Sequence, residues 1–179
     1  MKKTLMIFAA IVMMVGFTTK SMAQQVIKNT TAGAKILTAL SIAEDIPMHF
    51  GTMGVKAAVA GTCVVSTAGV RSATGGVNLS LMAPQFSLAT YTMTGEPLYT
   101  YAITLPDDIT VTHTDLSTIM TIDNLLAKST SGTESHTATG TLLITAGTES
   151  FTVGGTLNVV AAQIAGVYAG TFDVTVAYN

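Results

Sequence analysis

Three histidines, ten acids and a single cysteine are the groups that could do chemistry in this chain of 179 residues. A zinc site needs His, Cys or acid ligands at short, fixed spacings, and His49, His113 and His136 stand apart, none within four residues of another. They read as structural or surface residues. Asp107, Asp108, Asp115 and Asp123 lie close enough in sequence to gather oxygens for calcium, but the D-x-[DN]-x-[DN]-G loop that does so is missing. A serine hydrolase would hold its nucleophile on a constrained turn, and there is no Gly-x-Ser-x-Gly. Glycosidic cleavage needs two carboxyls facing across a cleft, whereas the acids here fall mostly in turns. Gly75-Gly76 and Gly154-Gly155 open no helix, so they read as hairpin turns and not as phosphate cradles. Tyr91, Tyr99 and Tyr101 could stack on a sugar; as cross-strand pairs or core residues they need no ligand. No catalytic residue, cofactor or metal is assigned, and an enzyme is not expected.

The elements that would position such groups are strands. From Tyr168 onward Tyr168, Gly170, Phe172, Val174, Val176 and Tyr178 share one face, against Ala169, Thr171, Asp173, Thr175 and Ala177 on the other. That is the period of a strand with one buried side. A slip of one residue would turn the row to water, so its register is set and a second β-layer must cover it. The same pattern predicts first strands over residues 34–42 and 46–53, with a bend at Gly51. Further strands fall over residues 61–66, 77–81, 85–94, 98–105, 109–113, 117–127, 141–145 and 151–160, the last interrupted by Gly154-Gly155. In 85–94, Phe86 and Leu88 oppose Tyr91 and Met93, so a bulge near Ala89 or Thr90 is expected to exchange the faces. Residues 128–139 read as a polar surface loop. Turn signals recur every 8 to 12 residues or so and no helical period appears. The expected fold is all-β, a single antiparallel β-sandwich of immunoglobulin-like or pilin-like kind over residues 34–179.

Residues 1–23 read as a secretory signal peptide: Lys2 and Lys3, an apolar run from Leu5 to Phe17, and Ser21-Met22-Ala23 before the cut. The run is shorter than the roughly 20 residues of a membrane span, so the mature chain is expected to carry no transmembrane segment. Residues 24–33 follow as a weakly patterned, flexible arm whose apolar anchors are Val26 and Ile27. Removing the leader leaves five bases against all ten acids, a mature net charge of −5. An acidic chain without a basic cluster is a poor partner for nucleic acid or an anionic membrane. Hydrophobic residues make up 49% and charged residues only 10%, against about 25% charged in ordinary soluble domains; the apolar excess is spread through strands. Cys63 stands alone in the β-type run Thr62-Cys63-Val64-Val65, so an exported chain must be held by packing, with Cys63 expected as a buried small hydrophobe and an exposed redox or linking thiol as the alternative.

Several segments together resemble one bacterial family. The terminal GVYAGTFDVTVAYN, the first strand leading into His49-Phe50-Gly51-Thr52, the Ala73-Thr74-Gly75-Gly76-Val77 turn, and the run from Phe86 through Met93-Thr94-Gly95-Glu96-Pro97 to Tyr101-Ala102-Ile103-Thr104-Leu105 are similar to domain-of-unknown-function family 4402. The resemblance covers nearly all of the mature chain and implies an exported β-sandwich with no assigned activity. The terminal strand is also similar to that of chaperone–usher pilins and spore-coat U-type proteins, in which alternating apolar residues and a Tyr next to the C-terminus are read by an assembly chaperone. Tyr178 occupies that place here. Many such pilins carry a disulfide, which Cys63 alone cannot make.

The function expected on these grounds is that of a structural or interaction protein of the periplasm, cell surface or extracellular space, a subunit of a fibre or coat. Its assembly strand would carry Tyr168, Phe172, Val174, Val176 and Tyr178. A donor arm with Val26 and Ile27 would complete the sheet of the next subunit, and the partners would be further copies or another envelope protein. The alternative is a monomeric binding module for carbohydrate or another envelope component, using the tyrosines or the 128–139 loop.

Overall fold

The computed structural model describes residues 26–143 and 146–179, and among them there is no helix. The leader expected over residues 1–23 lies outside the described residues, as do the first two residues of the arm. The chain divides into residues 1–35 and a unit over residues 36–179. In the first, residues 26–35 are exposed and form no strand.

In the second unit every strand pairing is antiparallel. The strands are β1 (Ser41–Ile46), β2 (Met53–Val55), β3 (Gly61–Val65), β4 (Arg71–Gly75), β5 (Val77–Leu79), β6 (Ala89–Thr94), β7 (Thr100–Thr104), β8 (Ile109–His113), β9 (Ile119–Ser129), β10 (Thr137–Thr141), β11 (Thr148–Val159), β12 (Tyr168–Ala169) and β13 (Thr175–Tyr178). The large sheet runs β1-β6-β11-β9-β8-β12, with β3 also on β11 and β4 on β3; a second sheet runs β10-β7-β13, and β2 pairs with β5. One core joins the two larger sheets. Tyr91, Met93, Leu125, Ala127, Phe151 and Val153 of the large sheet cluster with Tyr101, Ile103 and Ala138 of the small one. The rings of Tyr91 and Phe151 stack with centroids 5.0 Å apart. The fold is the expected all-β antiparallel arrangement, sandwich-like in its layers.

β11 is the axis of the large sheet. β9 lies along one side, while the other side is shared end to end by β6, opposite Thr148–Val153, and β3, opposite Gly155–Val159. Gly154 sits at the fork, where an added Cβ would fall 2.5 Å from the Val65 carbonyl oxygen and 2.8 Å from the Thr67 nitrogen. Gly154-Gly155 is therefore no hairpin turn, as its sequence suggests, but the interior of a strand where another backbone comes too close for any side chain. The sequence also hides a bulge in β9. Met120 and Ile122 point inward before it, Leu125, Ala127 and Ser129 after it. The extra residue is taken up beside Asn124, whose φ is 49°.

Other boundaries shift. Residues 34–40 form no strand, and β1 starts only at Ser41. The strand expected over residues 46–53 is broken: Ile46 ends β1, Met53 starts β2, and residues 47–52 between them make a single bridge, His49 to Ser87. The exchange of faces near Ala89 falls ahead of β6, which then alternates regularly with Ala89, Tyr91 and Met93 inward. β9 and β10 take both ends of the polar 128–139 segment. In the C-terminal row Phe172, Val174, Val176 and Tyr178 pack on the core while Tyr168 lies against His113 of β8 and Gly170 is exposed, and the row is not one strand: β12 is on the large sheet, β13 on the small one, and residues 170–174 between them pair with neither.

Candidate functional site

The strand-poor stretch 170–174 leaves an opening at one margin of the sandwich. Among the described residues β1 is the outermost strand of the large sheet, bonded only to β6, and β13 is the outermost strand of the small sheet, bonded only to β7. Each thus has one free edge. Ile42 and Glu44 lie opposite the inward-facing Met93 and Tyr91 of β6, so their side chains belong to the inner face. Yet all six residues of β1 are exposed: no described residue covers that face there. The space is a groove of about 200 Å³ lined by Ile42, Glu44, Tyr91, Phe172, Asp173 and Val174. Phe172 and Val174 are only half-buried, although they pack on the core. Tyr91 donates a long hydrogen bond of 3.4 Å to Glu44 Oε1, and its phenol is pushed up to about 12, by burial first and then by the Glu44 charge and hydrogen bond.

The groove is closed at one end by Tyr178. Its hydroxyl donates to the Thr38 carbonyl at 2.6 Å and accepts from the Glu96 amide at 2.6 Å. Glu96 Oε2 in turn accepts from Thr38 Oγ1 at 2.9 Å and from the Thr38 amide at 3.2 Å. One phenol thereby ties the last strand, the β6–β7 turn and the segment leading into β1. A side chain at Gly95 would have to displace that hydroxyl, which lies 2.5 Å from where its Cβ would fall.

Residues 40–178 match the family described as Domain of unknown function (DUF4402). The chain belongs to that family. No curated protein and no solved structure matches it. The DUF4402 span contains both margins of the groove and begins at Leu40, after the arm.

Elsewhere in this DUF4402 domain the groups with chemical potential have local partners. His49 Nδ1 accepts from the Gly51 amide at 2.7 Å. The His113 ring packs on Tyr168, centroids 4.9 Å apart. His136 Nδ1 lies 3.1 Å from the Leu125 carbonyl, and its Nε2 lies 3.5 Å from Asp107. Asp115 closes the β8–β9 turn by accepting from the Ser117 and Thr118 amides and the Thr118 hydroxyl at 2.7 to 2.9 Å. Those bonds, from Thr118 above all, hold its carboxyl far below the usual range. Among the described residues no three His, Cys, Asp or Glu side chains are placed to share a metal ion, and no helix is long and apolar enough to cross a membrane. Cys63 is fully buried; burial raises its thiol, against a hydrogen bond and charge from Arg71.

Tyr91 and Tyr101 are buried, and Tyr99 meets Tyr178 edge to face at 5.8 Å, so the first two offer no stacking surface. A second concavity, of about 460 Å³, is lined by the hydroxyls of Thr100, Ser131, Thr133, Thr139 and Thr141 with Asn179. Beneath it lies a feature missed in the sequence: Glu149 is 2% exposed, its Oε1 accepting from the Ser131 amide at 2.7 Å. Burial raises the neighbouring Tyr101 phenol, opposed by Ser129 and Ser131 and reinforced by Glu149. The signal was the period of two, since Glu149 falls in the inward row with Phe151 and Val153 once the strand is started at Thr148.

Proposed function

We propose that this protein is an exported, non-enzymatic structural subunit that associates by strand addition, its groove between β1 and the 170–178 segment taking an extended segment of a partner. The observation that carries the reading is the pair of facing free edges with uncovered inner-face residues between them. An added strand would gain main-chain hydrogen bonds from the edges, and its alternate side chains would cover Ile42, Phe172 and Val174. Tyr168 stands apart from this groove, on the β8 margin, so the assembly strand of the proposal is reduced to Phe172, Val174, Val176 and Tyr178. The test is gel filtration and electron microscopy of the purified protein beside Ile42→Arg, which puts a charge on an exposed edge position. Wild-type oligomers or fibres that become monomers in the variant support the proposal. Monomers in both, at high concentration, overturn it.

A monomeric carbohydrate-binding module is the second reading, and the hydroxyl-lined concavity is what favours it. It lacks an aromatic platform, the usual source of sugar affinity. Retention of a monomeric protein on an immobilised polysaccharide, lost on Thr139→Arg, would favour this reading over the first.

A further inference from the structure

We propose that the segment received by the groove is the arm of a second copy of this chain, with Ile27 turned into the apolar floor and Lys28 turned outward to Asp173. The inference rests on the strand-addition reading above and adds the identity of the donor. Charge is the first ground. The groove lining holds Glu44 and Asp173, with Asp45 next along β1, and among the described residues no lysine or arginine. Residues 26–40 carry Lys28 and Lys35 and no acid.

Pattern is the second ground. Val26 and Ile27 are 83% and 76% exposed, and successive side chains of a strand point to opposite faces. Ile27 inward therefore places Lys28 outward. Asp173 faces outward too, because its neighbours Phe172 and Val174 are the ones packed on the core. Length agrees: ten residues, 26 to 35, extend to about 33 Å, enough to run beside the whole of β1.

The third ground excludes the molecule's own arm. Thr38 is held by Glu96 and Tyr178 at the closed end of the groove, so the chain upstream of it could enter the groove only by doubling back. The residue suited to such a turn is Gly33. A hairpin centred there returns Val26 opposite Leu40 and Ile27 opposite Ala39, so neither apolar anchor reaches Ile42 or Glu44. The arm of another copy has no such constraint.

The experiment is sedimentation velocity on full-chain protein carrying Lys28→Asp, Asp173→Lys or both. It is paired with disulfide trapping in a mixture of Ile27→Cys and Ile42→Cys molecules, which does not depend on the strength of association. Each single charge reversal is expected to weaken self-association about fivefold, the effect of one exposed ion pair. The double variant is expected to restore it, and the mixture to yield a covalent dimer joining one molecule of each kind. If Ile42→Arg abolishes association while the arm variants leave it unchanged and no mixed dimer forms, the donor is another segment or protein and this inference falls alone. If neither groove nor arm variants change the sedimentation profile, the strand-addition reading falls with it.

Discussion

Tyr91 carries two environments on one side chain. Its ring stacks on Phe151 in the core, while its hydroxyl reaches Glu44 at the mouth of the groove. Because the phenol titrates near 12 in the folded chain and near an ordinary value of about 10 when unfolded, folding favours its protonated form. The stability this confers is complete below about pH 10 and is lost as pH rises toward 12. The unfolding midpoint should therefore drop across that interval, and drop less in Tyr91→Phe; equal slopes in thermal scans would contradict the assignment. Glu44→Gln should shift the tyrosinate absorbance titration of Tyr91 downward, since it removes the second cause of the shift. The inward face of Tyr91 was open to reading from its alternation with Met93. Its carboxylate neighbour was not, because Glu44 is 47 residues away and in a segment whose pairing no local pattern reveals. Glu149 was hidden for the opposite reason: an acid at the start of a strand looks like a turn residue until its register is known.

Among the elements, β11 shows how far periodicity reaches and where it stops. Its alternation was legible from Phe151, and so was its length to within a few residues. The role of Gly154 was not, since a glycine pair between two β-patterns reads the same whether it turns the chain or admits a neighbour. What decides the matter is the Val65 carbonyl, 2.5 Å from where a Cβ would stand and far away in sequence. Gly154→Ala must push β3 away from β11 against backbone that cannot yield. A loss of about 1–3 kcal/mol is expected, read as a lower denaturation midpoint in urea with an unchanged slope. Gly33→Ala, with nothing within 4 Å of an added Cβ, should leave that midpoint where it was. The β9 bulge escaped notice because Asn124 ends one alternation and Leu125 begins another, and each half alone is a regular strand.

For the molecule as a whole, fold class followed from the composition of the strands, whereas the groove followed from nothing local. It exists because the C-terminal row leaves one sheet at Ala169 and joins the other at Thr175, a crossing that an unbroken alternation conceals. A core contributed by both sheets and free of disulfides predicts one cooperative unfolding transition whose midpoint is the same with and without reductant. A shift on adding dithiothreitol would mean that Cys63, buried in the described fold, had become exposed and bridged two chains. The central position of β11 also bears on how the fold is reached. Its partners β3, β6 and β9 all precede it, by roughly 20 to 100 residues, so a chain made from its N-terminus outward holds three separate strand pairs, β3–β4, β1–β6 and β8–β9, with nothing to join them until residues 148–159 arrive. Acquisition of structure should then be slow, on the millisecond-to-second scale of topologies dominated by distant pairings, and a nascent chain halted before Thr148 would stay unfolded and prone to clump.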